Sequence, residues 1–365
     1  MEMTNTLWPI AKKVSHSLFY TLILSVVGIL VNYFVQMMIQ NKDLILPKSV
    51  MSTNQYENEI AAHIVKSEDI VERLNDIGGL TKVKDDIRTH ILLPLQYPHV
   101  FFSKNESLHP NKGILLCGPP GVGKTMIARA IAAEANVPFI SLTLSVLENK
   151  YFGETSKLLA GAFSLARRIQ PCILFFDEID GLIRNRSDSD QSCVYSLKTE
   201  LLTHMDGLTS KKNDAVFFIG CTNILESLDP AIRRRLSKVY KLDLPDENER
   251  LEILKVITTA DNIDIKTLHK IAKSTDRMSG SDIMNLYKRA SSFRLTDQYK
   301  SKEFLENLEL ATSSDDMSPF MHKINNTHWK KALDETKNTK NYMSDTSSED
   351  DTEEEPPQIH NSNES

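Results

Sequence analysis

The chain has 365 residues, of which 41% are hydrophobic and 25% charged, and its formal net charge is -6. A chain this long accommodates two or three domains of ~100–200 residues, and its composition excludes both wholesale disorder and a polytopic membrane protein. Cys117, Cys172, Cys193 and Cys221 form no C-x-x-C pair and have no His-rich metal spacing, so neither a disulfide framework nor a zinc site is implied.

The first element is Leu18 to Met38, LFYTLILSVVGILVNYFVQMM, an uncharged run bounded by Lys12 and Lys13 before and by Lys42 and Asp43 after. About 20 apolar residues are what a helix needs to cross hydrocarbon, so a transmembrane helix is expected over 18–39, after a short segment 1–17. A cleaved signal peptide would have a shorter apolar region ending at small residues, whereas Gln40, Asn41, Lys42 and Asp43 follow here. Lysines on both flanks leave the orientation undecided by the positive-inside rule. Asn32 and Gln36 lie one turn apart on one face of this helix, where two amides are either tolerated singly or bonded across helices.

Residues 40–75 read as a linker, in which Ile60, Ile64, Ile70 and Leu74 give Ile60 to Leu74 a helical periodicity. From Asp76 to Pro245, short apolar runs alternate with helical patterns. The strands expected are Gly113–Cys117, Phe139–Leu142, Cys172–Phe176, Ala215–Gly220 and Val239–Leu244. The fold class predicted is α/β, a parallel five-stranded sheet flanked by helices over 76–245. Beyond Pro245 the pattern is helical throughout (Glu247–Thr258, Ile265–Ser274, Ser281–Leu295, Trp329–Thr336), which predicts a small helical domain over 246–339. Residues 340–365 read as a disordered acidic tail, because Asp345, Glu349, Asp350, Asp351, Glu353, Glu354 and Glu355 repel one another with nothing apolar to bury. Without a basic stripe, and with this acidic end, the chain is not expected to bind nucleic acid.

The chemistry sits at strand ends. Gly118, Pro119, Pro120, Gly121, Val122, Gly123, Lys124, Thr125 and Met126 follow the strand GILLC and open the helix Thr125–Ala135. This is the strand, glycine-rich turn and helix of a P-loop. Its backbone N–H groups curl round phosphate oxygens, Lys124 reaches the β/γ-phosphates of ATP, and Thr125 binds Mg2+. The strand Cys172–Phe176 delivers Asp177 and Glu178 to the crevice where ligands bind in open α/β sheets. Asp177 is assigned to Mg2+ and Glu178 to polarising the attacking water as general base, with Asp180 structural or capping. Asn223, after the third of these strands, is placed to orient that water; on its own it reads as an ordinary turn residue.

Together these pieces resemble the AAA ATPases from about Tyr56 to the helix at Trp329: Asp76-Ile77-Gly78-Gly-Leu80, GPPGVGKT, FFDEID, Met205-Asp-Gly-Leu208, GCTN ending at Asn223, and Met278-Ser-Gly280-Ser-Asp282 stand in that family's order. The resemblance implies that Asp76, Ile77 and Gly78 contact adenine, and that Asn223 senses the γ-phosphate. It further implies that Asp206 to Leu208 relay the nucleotide state between subunits, that Gly280 packs near the nucleotide from a helical lid, and that the chain forms a homo-hexameric ring. Tyr151 and Phe152 match the first pore loop, whose aromatics grip an extended polypeptide; as residues alone they equally read as core. Ala231-Ile-Arg-Arg234-Arg235 matches the arginine-finger segment. Val239 stands where that family has an arginine, which leaves Arg234 or Arg235 for the role, or a merely solvated basic face.

The single span, short linker and one ATPase domain, with PCILFFDEIDGLIRNRS and SLKTELLTHMDGL, look like the family of outer mitochondrial transmembrane helix translocases. That resemblance implies extraction of mislocalised tail-anchored proteins from the mitochondrial outer membrane, and also from peroxisomes, with the ATPase domain in the cytosol. Two alternatives stay open. One is a microtubule-severing ATPase resembling spastin, which the short stretch between Asn41 and Asp76 disfavours. The other is an ATP-binding tether with weak hydrolysis, suggested by Val239.

Overall fold

The computed structural model describes residues 54–102, 110–143, 146, 154–181, 191–210, 214–261, 263–299 and 323–347. The chain divides into two compact units, Met1–Asn58 and Glu59–Ser365. The expected transmembrane helix lies outside the described residues; among those described, no helix is long and apolar enough to cross a membrane.

In chain order the principal elements are α1 (Gln55–Ala61), β1 (Ile64–Val65), α2 (Thr81–Ile87), β2 (Gly113–Cys117), α3 (Lys124–Ala135), β3 (Phe139–Leu142), α4 (Glu154–Ile169), β4 (Cys172–Phe176), α5 (Gln191–Ser210), β5 (Val216–Thr222), α6 (Pro230–Arg235), β6 (Lys238–Lys241), α7 (Glu247–Ile257), α8 (Ile265–Ser274), α9 (Gly280–Tyr299) and α10 (Asn326–Ser347). The sheet runs β1-β3-β4-β5-β2-β6. Pairings from β3 to β6 are parallel, in the registers Phe139↔Ile173, Cys172↔Val216, Gly113↔Phe218 and Ile114↔Lys238. Strands β2, β4 and β5 are buried at every position, as expected of parallel strands covered on both faces.

The expected parallel five-stranded sheet is corrected to a mixed six-stranded one. The added strand is β1, whose Ile64 and Val65 pair antiparallel with Ile140 and Phe139. The same residues overturn the helix expected over Ile60 to Leu74. Ile60 lies in the last turn of α1, Ile64 lies in the strand, Ile70 enters the core directly after a 3-10 turn at Ser67–Asp69, and Leu74 opens another at Leu74–Asp76. Ile60, Ile70 and Leu74 are buried one by one, by tertiary packing, without a continuous helix between them. Boundaries also shift: β5 runs from Val216 to Thr222, β6 from Lys238 to Lys241, and α10 continues to Ser347, into the stretch read as a tail.

Phe176 of β4 stacks on Phe218 of β5 at 4.9 Å, and Phe218 on Phe163 of α4 at 6.0 Å, which ties the central strands to their covering helix. Phe218 is almost wholly buried. Phe218→Ala is expected to cost about 3–5 kcal/mol of stability through the cavity it leaves. Urea unfolding of the two proteins measures it, and a loss below about 1 kcal/mol would mean that the site collapses around the gap. Past β6, a second hydrophobic cluster gathers Leu251 and Leu254 of α7, Leu268 and Ile271 of α8, Ile283 and Leu286 of α9, and Trp329 of α10.

Candidate active site

At the C-terminal edge of the parallel strands, β2 runs into the glycine-rich turn. Gly118 (φ 150°) passes so close to β6 that a Cβ there would fall 1.9 Å from the Leu242 carbonyl oxygen. Gly121 and Gly123 have φ of 79° and 97°, in the left-handed region that glycine enters without penalty. A Cβ on Gly121 would meet the Ser279 hydroxyl at 2.7 Å, whereas nothing lies within 4 Å of one on Gly123. The turn therefore fits closely against the helical region on one side and stands open on the other. Helix α3 starts at Lys124, so its first N–H groups have no carbonyl within the helix and point, with the positive end of its dipole, into that open space.

Lys124 is buried, and its Nζ donates to the carbonyls of Gly118 (2.7 Å) and Pro119 (2.9 Å) and to Asn223 Oδ1 (2.8 Å). Burial pushes its ammonium below the usual lysine pKa, so phosphate oxygens would be favoured partners. Thr125 Oγ1 donates to Asp177 Oδ2 at 2.9 Å. A hydroxyl and a carboxylate in contact at a phosphate-binding turn are the hard oxygen donors that Mg2+ takes when phosphates and water complete its shell, so these residues fit the ion. Cys221 lines the same pocket, but burial and the nearby Asp177 raise its thiol pKa well above the ordinary value, which keeps it protonated and inert.

Glu178 is exposed and sits at φ 50°, a left-handed conformation costing about 1–2 kcal/mol for a residue with a Cβ. Neighbouring hydrogen bonds hold the turn: Glu178 N to Asp177 Oδ1 (3.1 Å), Ile179 N to the Cys221 carbonyl (2.9 Å) and Gly181 N to the Glu178 carbonyl (2.8 Å). The turn separates the roles of two adjacent acids, leaving Asp177 beside Thr125 and Glu178 free to face a ligand. Asp180 is buried and accepts from Thr222 Oγ1 at 2.8 Å, in line with a structural part.

The helical region closes the pocket. Ser281 N, at the start of α9, donates to the Gly121 carbonyl at 3.0 Å, and a Cβ on Gly280 would lie 3.3 Å from that same oxygen. Ser279 and Asp282 cap this end reciprocally, at 3.0 and 3.2 Å. On the other flank, Gly79 N donates to Glu252 Oε2 (2.9 Å) and Leu80 N to Glu249 Oε1 (3.1 Å), so the Asp76–Leu80 loop is pinned to α7. Gly78 lies against the Ile253 backbone, where a Cβ would sit 2.3 Å from its nitrogen. The Asp76 carboxylate accepts from the Arg73 N–H, while the Ile77 N–H donates to the Leu74 carbonyl and the Ile77 carbonyl accepts from Lys84 Nζ, and all three of Asp76, Ile77 and Gly78 line the cleft.

The resulting cleft has a volume of about 700 Å3, within the usual range for a small-molecule site. It is lined by Asp76, Ile77, Gly78, Pro120 to Met126, Asp177, Glu178, Asn223 and Gly280, so nearly all the pocket residues expected from the sequence are brought together. Sequence reasoning missed Leu80, Ile253, Ile257, Ser281, Met284, Asn285 and Lys288 on its walls. The Asp76–Leu80 motif pointed towards Leu80, and the serine-glycine-serine run at the start of α9 towards Ser281.

Other expected site residues lie elsewhere. Tyr151 and Phe152 fall outside the described residues. Arg234, exposed on α6, and Arg235 do not line the cleft. Arg235 is committed within its own chain, with Nε and Nη2 on the Asp206 carboxylate at 2.6 and 2.7 Å and Nη1 on the Ala231 carbonyl. The Arg235 guanidinium holds the Asp206 carboxyl below the usual carboxylate range. Val239 is exposed on edge strand β6.

The model of the ATPase family associated with various cellular activities (AAA) matches residues 114–244. An outer mitochondrial transmembrane helix translocase from Danio rerio is 38% identical over 254 residues, covering 69% of this chain and 67% of its own length. The protein of that name from Homo sapiens is 40% identical over 239 residues, covering 65% and 66%. The chain thus spans about two thirds of the length of these curated relatives. The crystal structure of the FIGL-1 AAA domain in complex with ADP superposes with a TM-score of 0.61 at 28% identity, covering 77% of this chain and 90% of that one.

Proposed function

The chain belongs to the AAA ATPase family and is an ATP hydrolase, and from that premise we propose that it is a membrane-anchored homo-hexameric motor that extracts tail-anchored proteins from the mitochondrial outer membrane, and from peroxisomes. The observation that carries the enzymatic part is the joining of Lys124 to Asn223 and of Thr125 to Asp177 across one cleft, with Glu178 turned towards its opening. Relatives named for moving transmembrane helices support the extraction part, together with the apolar run Leu18 to Met38.

In this reading Lys124 and the first amides of α3 hold the β- and γ-phosphates, while Ile77 and Gly78 face the adenine. Thr125 and Asp177 would hold Mg2+, which neutralises charge on the phosphates when bound. Glu178 accepts a proton from the attacking water, and Asn223, tethered to Lys124, orients that water beside the γ-phosphate. Arg234 from an adjoining copy supplies the charge that Val239 does not, because Arg235 already has a partner. Tyr151 and Phe152 grip the substrate in the ring's pore, and the anchor holds that pore over the bilayer from the cytosolic side.

The test is reconstitution in liposomes with a tail-anchored substrate. Substrate removal is expected to require ATP and to fall to background with Glu178→Gln. Extraction that proceeds without ATP, or equally well in the variant, would reject the reading. Tubulin pelleting with the same preparation separates it from a severing enzyme.

A further inference from the structure

We infer that the outer face of α8 is a docking surface for the acidic segment Glu349 to Glu355 of this chain. The sequence shows no basic run, yet α8 assembles a basic stripe. Leu268, Ile271 and Ala272 turn one face of the helix inward, so Lys266, Lys270 and Lys273, spaced by four and three, share the exposed face with His269. No Asp or Glu occurs between Ile265 and Ser274. Among the described residues, no carboxylate pairs with any of the three lysines, whereas Lys198 pairs with Asp229 and Lys238 with Asp86. Asp276, just past the helix, is already within 3.8 Å of Arg250 and 4.0 Å of Arg277. Like charges at these spacings work against the helix that carries them, and an acidic cover would relieve that.

The chain contains a segment of matching charge. Glu349, Asp350, Asp351, Glu353, Glu354 and Glu355 stand together with no Lys or Arg between them or after them. Their attachment point is α10, whose first residue Asn326, with Asn325 before it, lines one cleft with Ile263, Asp264, Ile265 and Thr267 around the start of α8. From there α10 carries the chain about 33 Å to Ser347 at 1.5 Å per residue. The eight residues from Ser348 to Glu355 recover at most about 29 Å when extended. The segment therefore meets the stripe of an adjoining copy at least as readily as its own, and a phosphate on Ser348 would add to the attraction.

The test is amine-acylation footprinting of the full-length chain beside a full-length variant in which the six acids are changed to Asn or Gln. At low salt, Lys266, Lys270 and Lys273 are expected to react about threefold more slowly with the acids present, the size of one exposed ion pair. The difference should vanish near 1 M salt, where screening acts over about 3 Å. The exposed Lys82 and Lys255 should react alike in both proteins. Equal rates at the stripe, or slowing shared by Lys82 and Lys255, overturn the proposal. Carboxyl-to-amine cross-linking of a mixture of isotopically light and heavy protein adds the location. Links from the acidic segment to the stripe, within or between copies, support it, and links confined to other lysines overturn it.

Discussion

Glu178→Gln lowers the hydrolysis rate at saturating ATP by about 10²–10⁴-fold and leaves nucleotide affinity nearly unchanged. Gln keeps the shape of Glu and bears the left-handed φ of 50° no worse, so the turn and its hydrogen bonds to Asp177 and Cys221 persist. What disappears is an acceptor for the proton of the attacking water. Phosphate release at saturating ATP measures the rate, and titration with a fluorescent nucleotide measures the affinity. If both fall by the same factor, Glu178 acts in binding and the general base lies elsewhere.

Lys124→Ala has the opposite signature. Removing the ammonium leaves the Gly118 and Pro119 carbonyls and Asn223 Oδ1 without their donor, and takes away the positive charge that the cleft holds for phosphate. A hydrogen bond to a charged group contributes about 1.5–3 kcal/mol, so loss of the phosphate contact alone weakens ATP binding by about 10–150-fold. Calorimetric titration checks this, and the rise in Tm that ATP gives the unaltered protein should shrink with it. An unchanged Kd would mean that the amides of α3 suffice for binding and that Lys124 serves the chemical step.

Much of this site could be read from the sequence because its chemistry is local. Residues 118–126 are contiguous, and Asp177 and Glu178 follow a strand recognisable by its unbroken apolar run. What could not be read depends on which segments meet in space. Nothing about Ile64 and Val65 says that they add an antiparallel edge to β3, because two residues carry no periodicity. Glu249 and Glu252 look like the exposed acids of any helix, and their hold on Leu80 and Gly79 follows from the packing of α7 against the Asp76–Leu80 loop. Lys288 enters the cleft wall because Ser281 and Gly121 set the angle of α9, and no motif announces it. The pairing of Arg235 with Asp206 joins residues 29 apart, a contact that no local spacing announces.

The Asp76–Leu80 loop is held from two sides, with Ile77 and Leu80 packed into the apolar core of the sheet and the Gly79 and Leu80 amides bonded to Glu252 and Glu249 of α7. The peptide that would recognise the purine therefore bridges the sheet and the helical body that touches the phosphate turn through Ser281. A displacement of that helical body would disturb the seat of the base and that of the triphosphate together, because both lie across the same seam.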